Sequence, residues 1–416
     1  MTELIIPAEA PDLNQLSERR IDHLARKAII AQLQKLEKGR MVLVEGTDRY
    51  RFGEGSPQAL EAVITVIHPQ FFTRIFLGGS IGAAEAYMEG LWTADDLTNA
   101  MRILALNQKA FADMEKGLAR LAAPLYKLYH FVRKNTKSGS RNNILAHYDL
   151  GNDFYALFLD ETMTYSCGIF ERPDSSLKEA SERKYDRICR KLQLSKGDRV
   201  LEIGTGWGGF ALHAVRNYDV HVTTTTISDQ QHDFARDRFR AAGLADRITL
   251  LKQDYRDLTG QFDKLVSIEM IEAVGHHFYD TFFRKCSQLL KDDGRMALQA
   301  ITIGDQIFDR HKRSVDFIKR YIFPGSCIPS IAAINRSIAT ATDLRLVQLE
   351  DITPHYATTL RRWRYRFFDN IEKVRELGFS ETFIRMWEYY LCYCEGGFAE
   401  RYLGDVQMIF AKPLYR

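Results

Sequence analysis

The segment 199–209, RVLEIGTGWGG, constrains the fold of this chain more than any other stretch. An apolar run ends at Glu202, a cluster of glycines follows, and the next residues, FALHAV, are typical of a helix. Because glycine lacks a Cβ atom and tolerates positive φ, such a strand, turn and helix bring backbone N–H groups close to a ligand. The pattern predicts a nucleotide-type binding loop, with a purely structural turn as the alternative. The glycines of this loop are Gly204, Gly206, Gly208 and Gly209.

A dinucleotide-binding loop fits less well, because it requires G-x-G-x-x-G and an acidic residue about 20 positions later. The next predicted strand ends in Thr226 and Ser228 instead. An acidic residue followed by alternating glycines at the end of a first strand resembles the S-adenosylmethionine loop of Rossmann-like methyltransferases. The sequence therefore favours S-adenosylmethionine as the cofactor.

The length of 416 residues predicts two domains, and 45% hydrophobic with 27% charged residues is ordinary for a soluble protein. The six cysteines show neither C-x-x-C nor zinc-ligand spacing, so we expect free thiols in a reducing compartment and no metal site. The first residues lack the pattern of a signal peptide, and no run of about 18 apolar residues occurs. These features predict a cytoplasmic protein that is at most peripheral to the inner face of the membrane.

The net charge of +3 is unevenly distributed, because 116–147 contains basic residues and no acidic one. Leucines, tyrosines and a phenylalanine are interleaved with them, a pattern that suits an anionic membrane surface. A solvated face of an inter-domain helix is an equal alternative, and a nucleic-acid patch comes third. The basic residues are Lys116, Arg120, Lys127, Arg133, Lys134, Lys137 and Arg141.

The first part of the chain predicts a small α+β domain over 1–134, followed by a polar linker at 135–143. Periodicity predicts an amphipathic helix over 16–39, and β-branched, alternating residues predict two strands. Helical sequence then continues to 106, with breaks at GGS and at Gly90. The two strands are 41–46 and 61–69, and the helical region is 71–106.

From 144 to 416 strands alternate with helices, which is typical of a doubly wound parallel sheet. The glycine loop then lies at the carboxyl end of the first strand, where such sheets bind ligands. A helical, aromatic and basic insertion follows 305, and the last two strands form a C-terminal hairpin. The predicted strands are 199–203, 220–227, 247–251, 263–268, 294–303, 345–350 and 406–413, and the helices are 208–216, 229–242, 277–291 and 330–342.

Several separated stretches resemble the cyclopropane-fatty-acyl-phospholipid synthase family. They are LGGSIGAAEAYMEGLW (77–92), NILAHYDLGNDFY (143–155), MTYSCGIF (163–170), VLEIGTGWGG (200–209), TISDQQ (226–231), QDYRDL (253–258), IEAVGHHFY (271–279), RYIFPGSCIPS (320–330) and CEGGFAERY (394–402). The resemblance implies an α/β fold with a Rossmann-like class I methyltransferase sheet and a helical insertion. It also implies transfer of a methylene group from S-adenosylmethionine to the cis double bond of unsaturated phospholipid acyl chains, and a possible homodimer.

An isolated alkene is a weak nucleophile, and its methylation builds positive charge on the neighbouring carbon. That charge needs aromatic faces and exclusion of water. Six aromatic residues in the catalytic half are candidates for these faces, and core packing is the ordinary alternative for each of them. They are Tyr165, Phe170, Tyr321, Phe323, Trp363 and Tyr365.

The cation must then lose a proton, and the resemblance implies a bound bicarbonate as the base. Its implied ligands are Cys167, Glu272, the backbone of Ile303, and Tyr321. Glu272 follows the fourth strand and can accept the proton of bicarbonate, although an acid at a helix N-terminus is the alternative.

Two positions qualify this assignment. The family commonly has histidine where Ile301 stands, and Gln299 is the predicted replacement because residues two apart on a strand share one face. Cys394 matches the family's C-terminal cysteine and is interpreted as lining the pocket, with structural burial as the alternative.

The resemblance also implies the cofactor contacts. The glycine loop approaches the methionine and ribose portions, and Glu202 anchors the loop or the amino group. The other residues implied to contact the cofactor lie in the YSC motif of 163–170 or at or after the ends of the second and third predicted strands. They are Tyr165, Ser166, Thr226, Gln231, Asp254 and Tyr255. For Gln231, a solvent-facing position on a helix is the alternative.

Three other functions compete with ring formation. The same cation can lose a different proton and give a methyl- or methylene-branched chain. An RNA or DNA methyltransferase would carry an N-P-P-Y-like motif where IEMIEAVG stands, so we expect no nucleic-acid partner. A catalytically inactive membrane-binding module is disfavoured by the intact glycine loop and Glu272.

Overall fold

The computed structural model describes residues 20–54, 60–108 and 150–416. Their contacts divide the chain into two units. The first takes the described part of 1–132 with 314–322 and 374–402, and the second takes the described part of 133–313 with 323–373 and 403–416. The linker 135–143 and the basic stretch lie outside the described residues.

The first unit contains a four-stranded sheet in the order β2-β1-β3-β4. The predicted helices and strands are present, whereas the short strands β2 and β4 were not predicted. The predicted GGS break is a kink at Gly79, where φ is 58°. The elements are α1 (Arg20–Leu33), β1 (Arg40–Glu45), β2 (Asp48–Phe52), β3 (Glu61–Val66), α2 (Gln70–Met88), β4 (Trp92–Ala94) and α3 (Leu97–Leu106).

The second unit alternates strands and helices as predicted. Its helices are α4 (Asn152–Ala156), α5 (Leu177–Leu192), α6 (Gly209–Tyr218), α7 (Asp229–Ala241), α8 (Tyr279–Leu289), α9 (Asp305–His311), α10 (Ile331–Ala341) and α11 (Thr353–Asp369). Its strands are β5 (Arg199–Ile203), β6 (His221–Thr226), β7 (Ile248–Lys252), β8 (Phe262–Ile268), β9 (Leu290–Ile303), β10 (Arg345–Asp351) and β11 (Leu403–Ala411).

These strands form one sheet in the order β10-β11-β9-β8-β5-β6-β7. The strands from β5 to β9 are parallel, and β11 lies antiparallel between β9 and β10. The predicted α/β sheet is therefore confirmed. Its last two strands pair antiparallel but do not form the predicted hairpin, because helical segments between 353 and 399 separate them in the chain. Because β6 and β8 lie on opposite sides of β5, the strand order reverses there and opens a crevice at its carboxyl end.

Both faces of this sheet are covered by apolar side chains. Leu201 packs in a cluster with Phe282 of α8 and Ile334 of α10. Its neighbour Val200 points to the opposite face, where it packs with Phe210 of α6. Alternation along β5 therefore buries both faces, which is typical of a central parallel strand.

Further elements are α12 (Ile371–Glu376), α13 (Glu381–Ala399), a π-helical turn at Ile318–Ile322, and 3₁₀ helices at Tyr255–Asp257, Ile271–Ala273 and His276–Phe278. The predicted catalytic domain, 144–416, contained all of them, whereas α13 and the turn group with the first unit. Gly396 of α13 faces Met101 of α3, and the Tyr87 hydroxyl donates to Glu388 at 2.7 Å. The composition of the linker cannot show that later segments of the chain group with the first unit. Among the described helices, none is long and apolar enough to span a bilayer.

Candidate active site

The glycine loop joins β5 to α6 at the carboxyl edge of the sheet. Gly204, Gly206 and Gly208 have φ values of 106°, 52° and 87°, in the region that favours glycine. The backbone N–H groups of Gly204 and Thr205 both donate to the Thr225 carbonyl, which ties the loop to β6.

The glycines differ in what an added Cβ atom would meet. At Gly208 it would lie 2.5 Å from the Phe239 ring, so this glycine is needed for packing. At Gly206 it would meet no heavy atom of the described residues within 4 Å, so these residues leave open space there. This cradle fits S-adenosylmethionine, the cofactor that the loop sequence favours, because a ligand can approach the backbone at Gly206.

Glu202 is buried in β5, and its Oε2 accepts a hydrogen bond of 2.6 Å from the Thr224 hydroxyl. That hydroxyl also lies 2.7 Å from Thr205 Oγ1. Burial raises the pKa of Glu202 to about 8, against the opposing effects of Thr224 and Lys184. The contact supports the expectation that Glu202 anchors the loop.

The ends of β6 and β7 carry the next predicted cofactor residues. Gln231 is buried in the first turn of α7, and its Oε1 accepts from Thr226 Oγ1 at 3.0 Å, so it does not face solvent. After β7, Asp254 accepts hydrogen bonds from the Arg256 side chain. The neighbouring Tyr255 ring packs edge-on against Phe282.

Aromatic rings connect the glycine loop to the YSC motif. Trp207 of the loop contacts Tyr155 at 5.0 Å between centroids, and Tyr155 contacts Tyr165 at 5.3 Å. Tyr165 stacks on Trp363 at 5.2 Å, and Phe323 lies 6.4 Å from it. Among the other predicted aromatics, Phe170 packs against His355 and Tyr365 is 53% exposed.

The neighbouring Ser166 is buried, and its hydroxyl accepts from Lys184 Nζ. Burial lowers the pKa of Lys184, while carboxylates that include Glu269 oppose the shift. Ser166 is thus tied to a buried cation, and its predicted cofactor contact stays a prediction.

Cys167 and Gln299 both contact a residue that sequence reasoning missed, Glu269. Its Oε1 accepts from the Cys167 backbone N–H at 2.9 Å and from Gln299 Nε2 at 2.7 Å. The Tyr356 hydroxyl donates to its Oε2 at 2.5 Å. Glu269 follows β8 directly with a φ of 47°. Its place after the fourth parallel strand was the sequence signal that could have identified it.

Glu272 lies one turn further along, in the short 3₁₀ helix Ile271–Ala273. Its Oε1 accepts from the Ile301 N–H at 2.6 Å, and its buried Oε2 has no partner among the described residues. Burial, followed by the effect of Glu269, raises the pKa of Glu272 to about 8. The backbone N–H of Ile303 donates to the Pro329 carbonyl at 2.9 Å.

Asp405 of β11 is a second buried acid that the sequence did not indicate. Gln299 Nε2 lies 3.4 Å from its Oδ2, and its Oδ1 has no partner within the described part of the chain. Burial, with Glu269 and Glu272 nearby, raises the pKa of Asp405 well above its usual range. Burial also raises the pKa of the Cys167 thiol, so that thiol is not activated as a thiolate.

Tyr321 and Cys394 group with the first unit. The Tyr321 hydroxyl donates to Glu85 Oε1 at 2.6 Å. Cys394 lies on α13 and is half-buried, and burial raises the pKa of its thiol. Cys167, Glu272, Gln299 and Ile303 all belong to the second unit. Cys167 and Gln299 both donate to Glu269, and Glu272 accepts from the N–H of Ile301, which lies on β9 with Gln299 and Ile303.

Comparison with solved structures identifies the class of this fold. The mycolic acid cyclopropane synthase CmaA1, solved in complex with SAH and CTAB, matches with a TM-score of 0.61 and 34% identity over 65% of this chain and 98% of that chain. The cyclopropane synthase MmaA2 from Mycobacterium tuberculosis matches with a TM-score of 0.60 and 31% identity over 65% and 98%. The fold and its loop define a class I S-adenosylmethionine-dependent methyltransferase.

The chain belongs to the mycolic acid cyclopropane synthetase family, whose model matches residues 135–408. It is 40% identical to the tuberculostearic acid methyltransferase UfaA1 of Mycobacterium tuberculosis over 80% of this chain and 79% of that protein. It is 38% identical to the cyclopropane-fatty-acyl-phospholipid synthase of Escherichia coli K12 over 84% and 88%. The predicted family and enzyme class are confirmed.

Proposed function

We propose that this enzyme transfers the methyl carbon of S-adenosylmethionine to the double bond of an unsaturated acyl chain in a phospholipid, with a cyclopropane ring as the product. The names of its relatives support action on lipid acyl chains. The phospholipid and the ring are our own inferences.

One spatial relationship carries this proposal. A Cβ atom added to Gly204 would lie 3.4 Å from the Met270 side chain, so the cofactor loop touches the segment that contains Glu269 and Glu272. Methyl donor and acidic groups therefore belong to one site. The rings from Trp207 to Trp363 extend from the same loop.

This arrangement suits alkene methylation. S-adenosylmethionine supplies an electrophilic methyl group, and its transfer leaves positive charge on the adjacent acyl carbon. Stacked aromatic faces such as those of Tyr165 and Trp363 stabilise a cation and offer it no lone pair to attack. Buried surroundings limit capture by water.

Bicarbonate, the base that the family resemblance implied, does not fit the groups assigned to it. Glu272 Oε2, which has no partner among the described residues, could accept its proton. However, Glu269 occupies the Cys167 N–H and the Gln299 amide, and a further anion beside its carboxylate would be repelled. We infer that Gln299 does not act as the anion ligand in place of the missing histidine, because its amide donates to Glu269.

Non-cyclising methylation is a second candidate, favoured by the 40% identity to a tuberculostearic acid methyltransferase. The cation is common to both reactions. Loss of a proton from the new methyl group closes the ring, whereas loss from the adjacent chain carbon leaves a methyl-branched alkene. A hydride shift that moves the cation to the methylated carbon, followed by loss of a methyl proton, leaves a methylene branch.

We expect the enzyme to bind its phospholipid substrate at a membrane surface. Charge reversal at Lys127, Arg133 and Lys134 should weaken sedimentation with anionic vesicles, most strongly at low salt. Unchanged sedimentation would make the basic stretch a solvated face only.

The decisive experiment is gas chromatography with mass spectrometry of phospholipid acyl chains from a host that expresses the protein. We expect acyl groups that contain one additional carbon in a cyclopropane ring, and none in cells that carry the empty vector. A branched chain would replace the ring assignment with the second candidate. Unaltered acyl chains would contradict the proposed function.

A further inference from the structure

We propose that the Glu269 carboxylate takes the place of bicarbonate as the base that removes the proton from the methylated acyl chain. This inference rests on the proposed function. Its first support is the pair of donors that Glu269 binds, the Cys167 N–H and the Gln299 amide. The sequence analysis assigned both residues as ligands of the bicarbonate anion. Glu269 therefore places a carboxylate of the protein itself where bound bicarbonate was expected.

The backbone at Glu269 gives independent support. A φ of 47° is unfavourable for a residue with a Cβ atom, and glycine would adopt it without strain. Strain of this kind at the end of a strand persists where the side chain has a role, here to aim a carboxylate into the site.

Glu269 acts as a hydrogen-bond acceptor on both of its oxygens. They accept from three donors, the Cys167 N–H, the Gln299 amide and the Tyr356 hydroxyl. Two neighbouring carboxyl groups, Glu272 and Asp405, each keep one buried oxygen with no partner in the described chain. Glu269 is half-buried rather than fully enclosed, so a substrate can approach it.

The reaction balances without another reactant. The alkene electron pair forms a bond to the methyl carbon as the carbon–sulfur bond breaks, which leaves a cation on the second alkene carbon. A Glu269 oxygen takes one proton of the new methyl group, and the electron pair of that C–H bond closes the ring. The proton then leaves Glu269 for solvent, so each turnover releases one ring product, one S-adenosylhomocysteine and one proton.

The test compares wild type with Glu269→Gln, Glu269→Gly and the exposed control Glu171→Gln in buffer stripped of bicarbonate. We expect wild type and Glu171→Gln to be fully active there, and Glu269→Gln to lose about 100-fold or more of its turnover while binding S-adenosylhomocysteine normally by calorimetry. Glu269→Gly suits the positive φ and should fold. It should be equally impaired and regain at least about tenfold when bicarbonate is added. A merely structural glutamate would not be rescued in this way.

A second readout does not depend on activity. Line broadening of ¹³C-bicarbonate should show binding to Glu269→Gly and none to wild type. Binding to wild type, a wild-type requirement for bicarbonate, near-normal turnover of Glu269→Gln, or failure of bicarbonate to rescue Glu269→Gly would each overturn the inference. If wild type methylates no phospholipid, the proposed function fails, while the binding comparison still decides whether Glu269 fills the anion position.

Discussion

The side-chain amide of Gln299 donates a hydrogen bond of 2.7 Å to Glu269 Oε1, and its own Oε1 accepts from Gln407 Nε2 at 3.0 Å. Gln299 is 1% exposed on β9, so this bond is shielded from solvent. It joins β9 to the residue after β8, and it makes Gln299 a positioning residue for the Glu269 carboxylate.

Replacing this amide by a carboxylate tests that role. Gln299→Glu still offers Gln407 an acceptor but turns a donor to Glu269 into a like charge. We expect turnover to fall about tenfold or more, with KM for S-adenosylmethionine nearly unchanged, because one charge-assisted hydrogen bond is lost. Gln348→Glu on the exposed strand β10 is the control. Normal turnover, or restoration by bicarbonate, would argue against the positioning role.

The open space at Gly206 leads to a binding prediction. Gly206→Val should reduce S-adenosylhomocysteine affinity by about 100-fold or more in calorimetry, because its side chain enters the cradle. Gly243→Val is a matched control, since Gly243 also has positive φ, 67°, and open space around its Cβ position. Both variants carry the same backbone strain, so equal affinities would refute the loop assignment.

The buried Glu202 makes stability depend on pH. Its pKa in the folded protein is about 8, above the ordinary 4.5, so the folded state binds more protons than the unfolded state between these values. The contribution of Glu202 to stability is therefore greatest below pH 4.5 and falls as pH rises towards 8.

Glu202→Gln should remove this contribution while its amide oxygen still accepts from Thr224. The variant should match wild type near pH 4.5 and exceed it at pH 8.5, by at most ~5 kcal/mol in urea unfolding. Glu171→Gln should show no such pH-dependent difference. Parallel pH profiles for wild type and Glu202→Gln would contradict the assignment.

Helix α13 gives a stability prediction for the first unit. A Cβ atom on Gly396 would lie 2.8 Å from Met101 Cβ, so Gly396→Ala should destabilise that unit by about 1–3 kcal/mol and lower its Tm. Gly78→Ala in α2 meets open space and should be neutral or stabilising. A Tm for Gly396→Ala equal to wild type would question the packing of α13 on α3.

The sequence anticipated the elements whose signals are local. Strand β5 matches its predicted bounds, 199–203, because an apolar run and a glycine cluster delimit it. The short strands β2 and β4 escaped prediction because pairing partners, rather than their own composition, define them.

The site was predictable only in part for the same reason. The resemblance identified Cys167 and Glu272, but no local pattern shows that Glu269 reaches the Cys167 N–H 102 residues away. Asp405 likewise joins the site only because β11 inserts beside β9. The pairing of strands in the folded protein, rather than residue type, determines which acidic side chains lie close together.

The most direct test of the proposed function uses purified protein, vesicles of a monounsaturated phospholipid, and S-adenosylmethionine with a trideuterated methyl group. Mass spectrometry of the released acyl chains should show one added carbon that retains two deuterium atoms and lies in a cyclopropane ring, because the base removes the third. Three retained deuterium atoms would instead indicate a proton lost from the chain and a methyl-branched product, and two retained deuterium atoms without a ring would indicate a methylene branch. Acyl chains without label would contradict methyl transfer to the lipid.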